Sequence, residues 1–140
     1  MTPSPRAATI LIVDDNRDNL FVLDRLLTHE GHRVLTAEDG AEALSLAHGD
    51  QPDLVLMDLD MPVMDGFEAS RRIRAIPDLA HVPILALSAH ALLGDEERAM
   101  GHAIDGFISK PFSAQQLLSR VSAMLAHPAP RPSEGATDTA

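Results

Sequence analysis

Five polar side chains stand at the ends of apolar runs, and together their types suit the transfer of an anionic group. Asp14 and Asp15 follow Ile10-Leu11-Ile12-Val13, Asp58 follows Leu54-Val55-Leu56-Met57, Ser88 follows Ile84-Leu85-Ala86-Leu87, and Lys110 follows Gly106-Phe107-Ile108-Ser109. A carboxylate at the end of an apolar strand costs desolvation energy that Asn or Ser would largely avoid, which makes Asp58 the candidate reactive group. Read on its own stretch, Asp58 could equally cap a turn or open a helix. The other strand ends decide between these.

Parallel strands bring their carboxyl ends to one rim, so these side chains can converge although nearly a hundred residues separate the first from the last. Three carboxylates within ~4 Å repel by roughly 4 kcal/mol per pair at an effective dielectric of 20, so a cation belongs between them. Oxygen-only ligands select a hard ion, and a half-open set with room for water and phosphate selects Mg2+ over calcium.

The elements that must position these groups follow from periodicity. Leu54 to Met57 is too apolar to have a wet face and suits a central parallel strand. Further strands are expected at 10–13, 32–37, 82–87 and 106–109, the second an edge strand because of its polar start. Leu20, Leu23 and Leu27 mark a helix closed by Gly31; Ala43, Leu44 and Ala47 mark one over 40–48 that Gly49 ends. Ala69, Ile73 and Ile76 give a helix over 66–76, with Arg71, Arg72 and Arg74 read as its solvated face and Pro77 as its stop. A charged helix is expected over 94–101. Ser113 with Gln116 is a capping-box signature for a last helix buried through Leu117, Leu118, Val121 and Leu125. Five strands alternating with five helices imply an α/β fold: a five-stranded parallel sheet with helices on both faces, doubly wound in the flavodoxin-like (βα)5 manner.

Size and composition bound the rest. The 140 residues make one domain over 9–126, with a loose lead at 1–8 and a Pro-rich tail at 127–140 expected to be disordered. With four Phe and no Trp or Tyr the core is aliphatic, and a formal net charge of -10 argues against direct nucleic-acid or membrane-surface binding. The absence of Cys excludes thiol chemistry, and neither a signal-peptide core nor an apolar run of spanning length is found, so the reading is cytoplasmic. Seven His residues show no ligand spacing.

Val13-Asp14-Asp15-Asn16, Met57-Asp58 running into Met61-Pro62-Val63-Met64-Asp65-Gly66, Leu87-Ser88-Ala89 and Ser109-Lys110-Pro111-Phe112, in this order and spacing, resemble the receiver domain of two-component response regulators, of the stand-alone type. The resemblance implies phosphoryl transfer onto Asp58 from a histidine kinase or histidine phosphotransfer protein, making the chain a phosphorelay signalling module rather than an enzyme of turnover. It implies Mg2+ held by Asp15, Asp58 and the Asp60 backbone carbonyl, with Asp14 acting largely through water. Lys110 and Ser88 would contact the phosphoryl group, and the Lys110–Pro111 bond would be cis. Ser88 and Phe107 would form the switch, and His90 would tune phosphoryl lifetime. Phe107 departs from the frequent tyrosine of the family; lacking a hydroxyl, it can report only by packing, turning inward when Ser88 moves. Downstream proteins would read the surface formed by 92–100, the fifth strand and the last helix.

A strand followed by Asp58-x-Asp60 also resembles the opening of haloacid-dehalogenase-type phosphohydrolases, with Asp60 as acid/base. That family places its acidic pair after the serine and lysine, whereas Asp14-Asp15 comes first here. Asp60 is therefore assigned only its backbone carbonyl.

Overall fold

The computed structural model describes residues 7–60, 66–89 and 104–126. Strands β1 (Thr9–Val13), β2 (Arg33–Ala37), β3 (Leu54–Asp58), β4 (Ile84–Ser88) and β5 (Gly106–Ser109) form one sheet in the order β2-β1-β3-β4-β5. Every neighbouring pair is parallel. The described helices are α1 (Arg17–His29), α2 (Gly40–Asp50), α3 (Gly66–Arg74) and α4 (Ala114–Ala126), with a 3-10 turn at Pro77–Leu79. The architecture is the flavodoxin-like doubly wound α/β fold expected from the alternation of runs. The expected helix at 94–101 and the tail from 127 lie outside the described residues.

The side-chain alternation of strands divides the core in two. Ile10, Ile12, Leu54, Leu56, Leu85, Leu87 and Ile108 face α1 and α4, packing on Leu20, Leu23, Leu27, Leu117 and Val121. Leu11, Val13, Val55, Met57, Ile84, Ala86 and Phe107 face α2 and α3, packing on Ala43, Ala47, Ala69 and Ile73. The central strands β3 and β4 are buried at every position, whereas β2 is only partly covered, as its edge position requires.

Local signals explain most boundaries. Asn16 caps α1 by accepting from the Asn19 N–H at 3.0 Å, and Gly31 beyond its end takes φ 95, which glycine adopts without strain. Ser113 and Gln116 satisfy each other's backbone N–H groups at 3.0 and 2.8 Å, completing the box that starts α4.

Beyond single-residue shifts at the ends of β1, β2 and β3, three boundaries and one face differ from expectation. Helix α2 runs through Gly49 to Asp50 and is closed by Gln51 at φ 46. Helix α3 ends at Arg74, and Ile76 belongs to the approach to the 3-10 turn, still packed against the core. Strand β4 begins at Ile84, because Pro83 has no N–H to give the ladder, although its carbonyl accepts from Val55. Arg74 is not part of a solvated face. Its guanidinium, 18% exposed, bonds the carbonyls of Ala80 and Val82 at 3.1 and 2.5 Å and pairs with Asp105 at 2.8 Å. The other two arginines, Arg71 and Arg72, do lie at the surface, both paired with Glu68.

Candidate functional site

The strand order creates the site. The chain leaves β1 toward β2 on one side and returns past β1 to β3 on the other, so the connections after β1 and β3 diverge and open a crevice at their carboxyl ends. Asp14 follows β1 directly, and Asp58 is the last residue of β3. Both continue the phase of the side chains that face α1 and α4, which brings the two carboxylates together across the β1–β3 pair. Asp15 begins the exposed turn into α1, at the open side of the same rim.

Asp14, Asp15 and Asp58 each offer one carboxylate oxygen, and these oxygens all lie within 4.8 Å of one another. Asp14 and Asp58 are only 2% exposed. Lys110, just beyond β5, donates from Nζ to Asp58 Oδ1 at 3.0 Å, and the Asp60 N–H donates to the same oxygen at 2.9 Å. The Lys110–Pro111 peptide bond is cis. Asp14 is braced separately: its Oδ1 accepts from the Asn16 N–H at 2.9 Å and its Oδ2 from Asn19 Nδ2 at 3.3 Å.

Among the described residues, negative charge exceeds positive at this rim. Burial is the main cause that pushes Asp14 from 3.8 up to about 6; the Asn16 N–H opposes it, and the charge of Asp58 adds to it. Burial alone would lower the Lys110 ammonium, but the hydrogen bond and charge of Asp58, with Asp14 and Asp60 behind it, outweigh burial and raise it. Among the described residues one ammonium thus faces several acids. The all-oxygen donor set and the surplus of negative charge fit a small hard divalent cation, and Asp15 stands on the solvent-exposed side of the set.

The carboxylate of Asp60, given no role in the sequence reading, is fully engaged. It accepts from the Ala89 N–H at 3.1 Å, faces the Ser88 hydroxyl at 3.5 Å and lies 3.6 Å from Lys110 Nζ. Ser88 is fully buried at the end of β4. Phe107, opposite Ala86 in the β4–β5 register, is 9% exposed and packed in the cluster that contains Ile104 and Ala86. The inward turn expected of this ring therefore starts from a position already largely covered. His90 and the 92–100 part of the expected readout surface lie outside the described residues.

Asn19 and the Ala89 N–H are the site groups that sequence reasoning missed. Asn16 just ahead of a helical spacing is a capping signal, and Asn19 one turn later lies on the same side of the helix start. Nothing in the identity of Ala89 marks its backbone. No described helix is long and apolar enough to cross a membrane.

The family model of the response regulator receiver domain matches residues 10–122. The polar-differentiation response regulator DivK of Brucella anthropi is 33% identical over 117 residues, spanning 84% of this chain and 95% of DivK. Among solved structures, the receiver domain of the sensor histidine kinase PA1611 of Pseudomonas aeruginosa, which has a magnesium ion coordinated in its active-site cleft, is 36% identical. It superposes with a TM-score of 0.80 over 86% of this chain and 99% of that domain. The chemotaxis protein CheY4 of Vibrio cholerae superposes with a TM-score of 0.80 at 30% identity, over 84% of this chain and 98% of its own. With the acidic crevice at the β1–β3 switch and Lys110 closing it from β5, this chain belongs to the response regulator receiver domain family of two-component signalling.

Proposed function

We propose that this chain accepts a phosphoryl group on Asp58 from a phosphohistidine of a histidine kinase or phosphotransfer protein and thereby changes its affinity for a downstream protein. The observation that carries this reading is the setting of Asp58: a buried carboxylate that shares its Oδ1 with an ammonium at 3.0 Å and lies beside two further acids at an open crevice. A structural carboxylate needs only the ammonium; the added acids cost stability and suit a cation-assisted reaction.

In the transfer, an Asp58 carboxylate oxygen attacks phosphorus, an O–P bond forms, and the P–N bond to the donor imidazole breaks with its electron pair returning to nitrogen. Asp15 and Asp58, with the Asp60 backbone carbonyl, would hold Mg2+, and Asp14, whose carboxylate joins theirs in one cluster, would act on it largely through water. When bound, the ion neutralises charge on the phosphoryl oxygens. Lys110 holds Asp58 in place and offers its ammonium to the same oxygens, while the buried walls of β3 and β4 limit water on the inner side. The chain has no turnover substrate in this reading; its product is its own acyl phosphate.

Phosphorylation adds about -1.5 to -2 charge beside Ser88. A hydrogen bond from Ser88 to that group, worth roughly 1.5 to 3 kcal/mol, moves a two-state equilibrium about ten- to a hundred-fold. Phe107 and the open groove that Ile108, Ser109, Gln116 and Arg120 form with it between β5 and α4 would carry the change to a protein partner. His90 would set the lifetime of the acyl phosphate modestly. The site of action is the cytoplasm.

The test is incubation with acetyl phosphate and Mg2+ followed by intact mass. Wild type gains one phosphoryl group and Asp58→Asn gains none. Labelling of Asp58→Asn to the wild-type extent, or no labelling of wild type by either acetyl phosphate or a phosphohistidine donor, removes the reading.

A further inference from the structure

The carboxylate of Asp60 occupies a place that the proposed reaction needs. Its Oδ2 accepts from the Ala89 N–H at 3.1 Å and lies 3.6 Å from Lys110 Nζ; its Oδ1 is 3.5 Å from Ser88 Oγ. Lys110 also bonds Asp58 Oδ1, so the two carboxylates sit side by side on one ammonium. A phosphoryl group on Asp58 projects oxygens into the space bounded by that ammonium, the Ser88 hydroxyl and the Ala89 N–H. Those are the three donors already turned on Asp60.

We infer that Asp60 is a built-in occupant of the phosphoryl site: its side chain stands in for the phosphoryl oxygens in the resting protein and must be displaced when Asp58 is phosphorylated. The inference rests on the reading of Asp58 as the acceptor. Among the described residues the 3.1 Å contact to the Ala89 N–H is a sound hydrogen bond, whereas the 3.5 and 3.6 Å contacts exceed a good one and leave room for a stronger anion to take those donors. A phosphoryl group competes with it for donors and is repelled by its charge. The backbone N–H of Asp60 stays on Asp58 Oδ1 whatever the side chain, so a substitution at 60 changes the occupant without removing that brace.

The experiment compares the rate of Asp58 labelling by acetyl phosphate at saturating Mg2+ in wild type, Asp60→Asn and Asp60→Glu. Asp60→Asn removes the charge at nearly constant shape and should label about ten-fold faster, the effect of losing one charge-assisted competitor. Asp60→Glu keeps the charge and should label no faster than wild type. A merely structural role would slow both variants or leave both alone. The inference is overturned if wild type labels and Asp60→Asn labels at the same rate or more slowly, or if Asp60→Glu gains as much as Asp60→Asn. Absence of labelling in all three proteins, by acetyl phosphate and by a phosphohistidine donor alike, overturns the acceptor reading of Asp58 and this inference with it.

Discussion

Replacing Asp14 by Asn in the metal-free protein should raise its stability at pH 7 and flatten its pH dependence between pH 5 and 7. Asp14 is 2% exposed and its carboxyl is raised from 3.8 to about 6, chiefly by burial. A raised acid binds its proton more tightly in the folded state, so its contribution is fully present below pH 3.8 and is lost as pH rises through about 6. The full difference is about 3 kcal/mol, and about 1.3 kcal/mol of it falls between pH 5 and pH 7. Asn at this position removes the titration while keeping an oxygen for the Asn16 N–H and an amide to donate toward Asp58, at the loss of the long 3.3 Å contact that Asn19 Nδ2 makes to Oδ2. The assay is urea unfolding in EDTA at pH 5, 6 and 7. Wild type should lose stability over that range while Asp14→Asn stays level and exceeds wild type at pH 7 by up to about 3 kcal/mol. Adding Mg2+ should stabilise wild type at pH 7 much more than the variant, because the ion supplies the missing positive charge. A wild-type stability that is flat or rises from pH 5 to 7 in EDTA, or a variant less stable than wild type at pH 7, refutes the claim that uncompensated charge is built into the crevice.

Two further outcomes concern parts of the fold away from the crevice. Arg74→Ala strips the carbonyls of Ala80 and Val82 and the exposed Asp105 of their cation, and Asp105→Ala also removes the acceptor of the Ile84 N–H at 2.9 Å; each should cost about 1–3 kcal/mol in urea unfolding. The double variant should cost clearly less than the two together, and full additivity would show that the pair does not act as a unit. Ser70→Ala should stabilise by about 1 kcal/mol, since the Ser70 hydroxyl is buried without a hydrogen-bond partner among the described residues. A loss of stability on that change would mean that the hydroxyl has a partner, such as a bound water.

What the sequence could reveal depended on whether the deciding contacts were local. The limits of β5 and the burial of β3 follow from unbroken apolar runs, and the start of α4 from a side chain bonding its own helix, so each was legible. The convergence of Asp14, Asp58 and Lys110 is a long-range fact, yet it was legible because parallel pairing alone puts strand ends on one rim. The misreadings share the opposite cause. Gly49 looked like the end of α2, but a mid-helix glycine costs only about 1 kcal/mol, and the helix runs on until Gln51 turns its amide to Asp78, 27 residues away. Arg74 looked solvated by its place on the helix, but its side chain reaches past the helix end to Asp105, 31 residues on. Asp60 is the most instructive case. Its spacing from Asp58 raised an acid/base role that the order of the other motifs then removed, leaving only its carbonyl. The donors that claim its carboxylate lie on β4 and beyond β5, one of them a backbone N–H that no residue type advertises. A residue two positions from Asp58 therefore shares its ammonium, a contact that only the folded chain reveals. The sequence offers only an unremarkable aspartate after a strand, and for that reason the charge test at position 60 is the sharpest available check on how this crevice works.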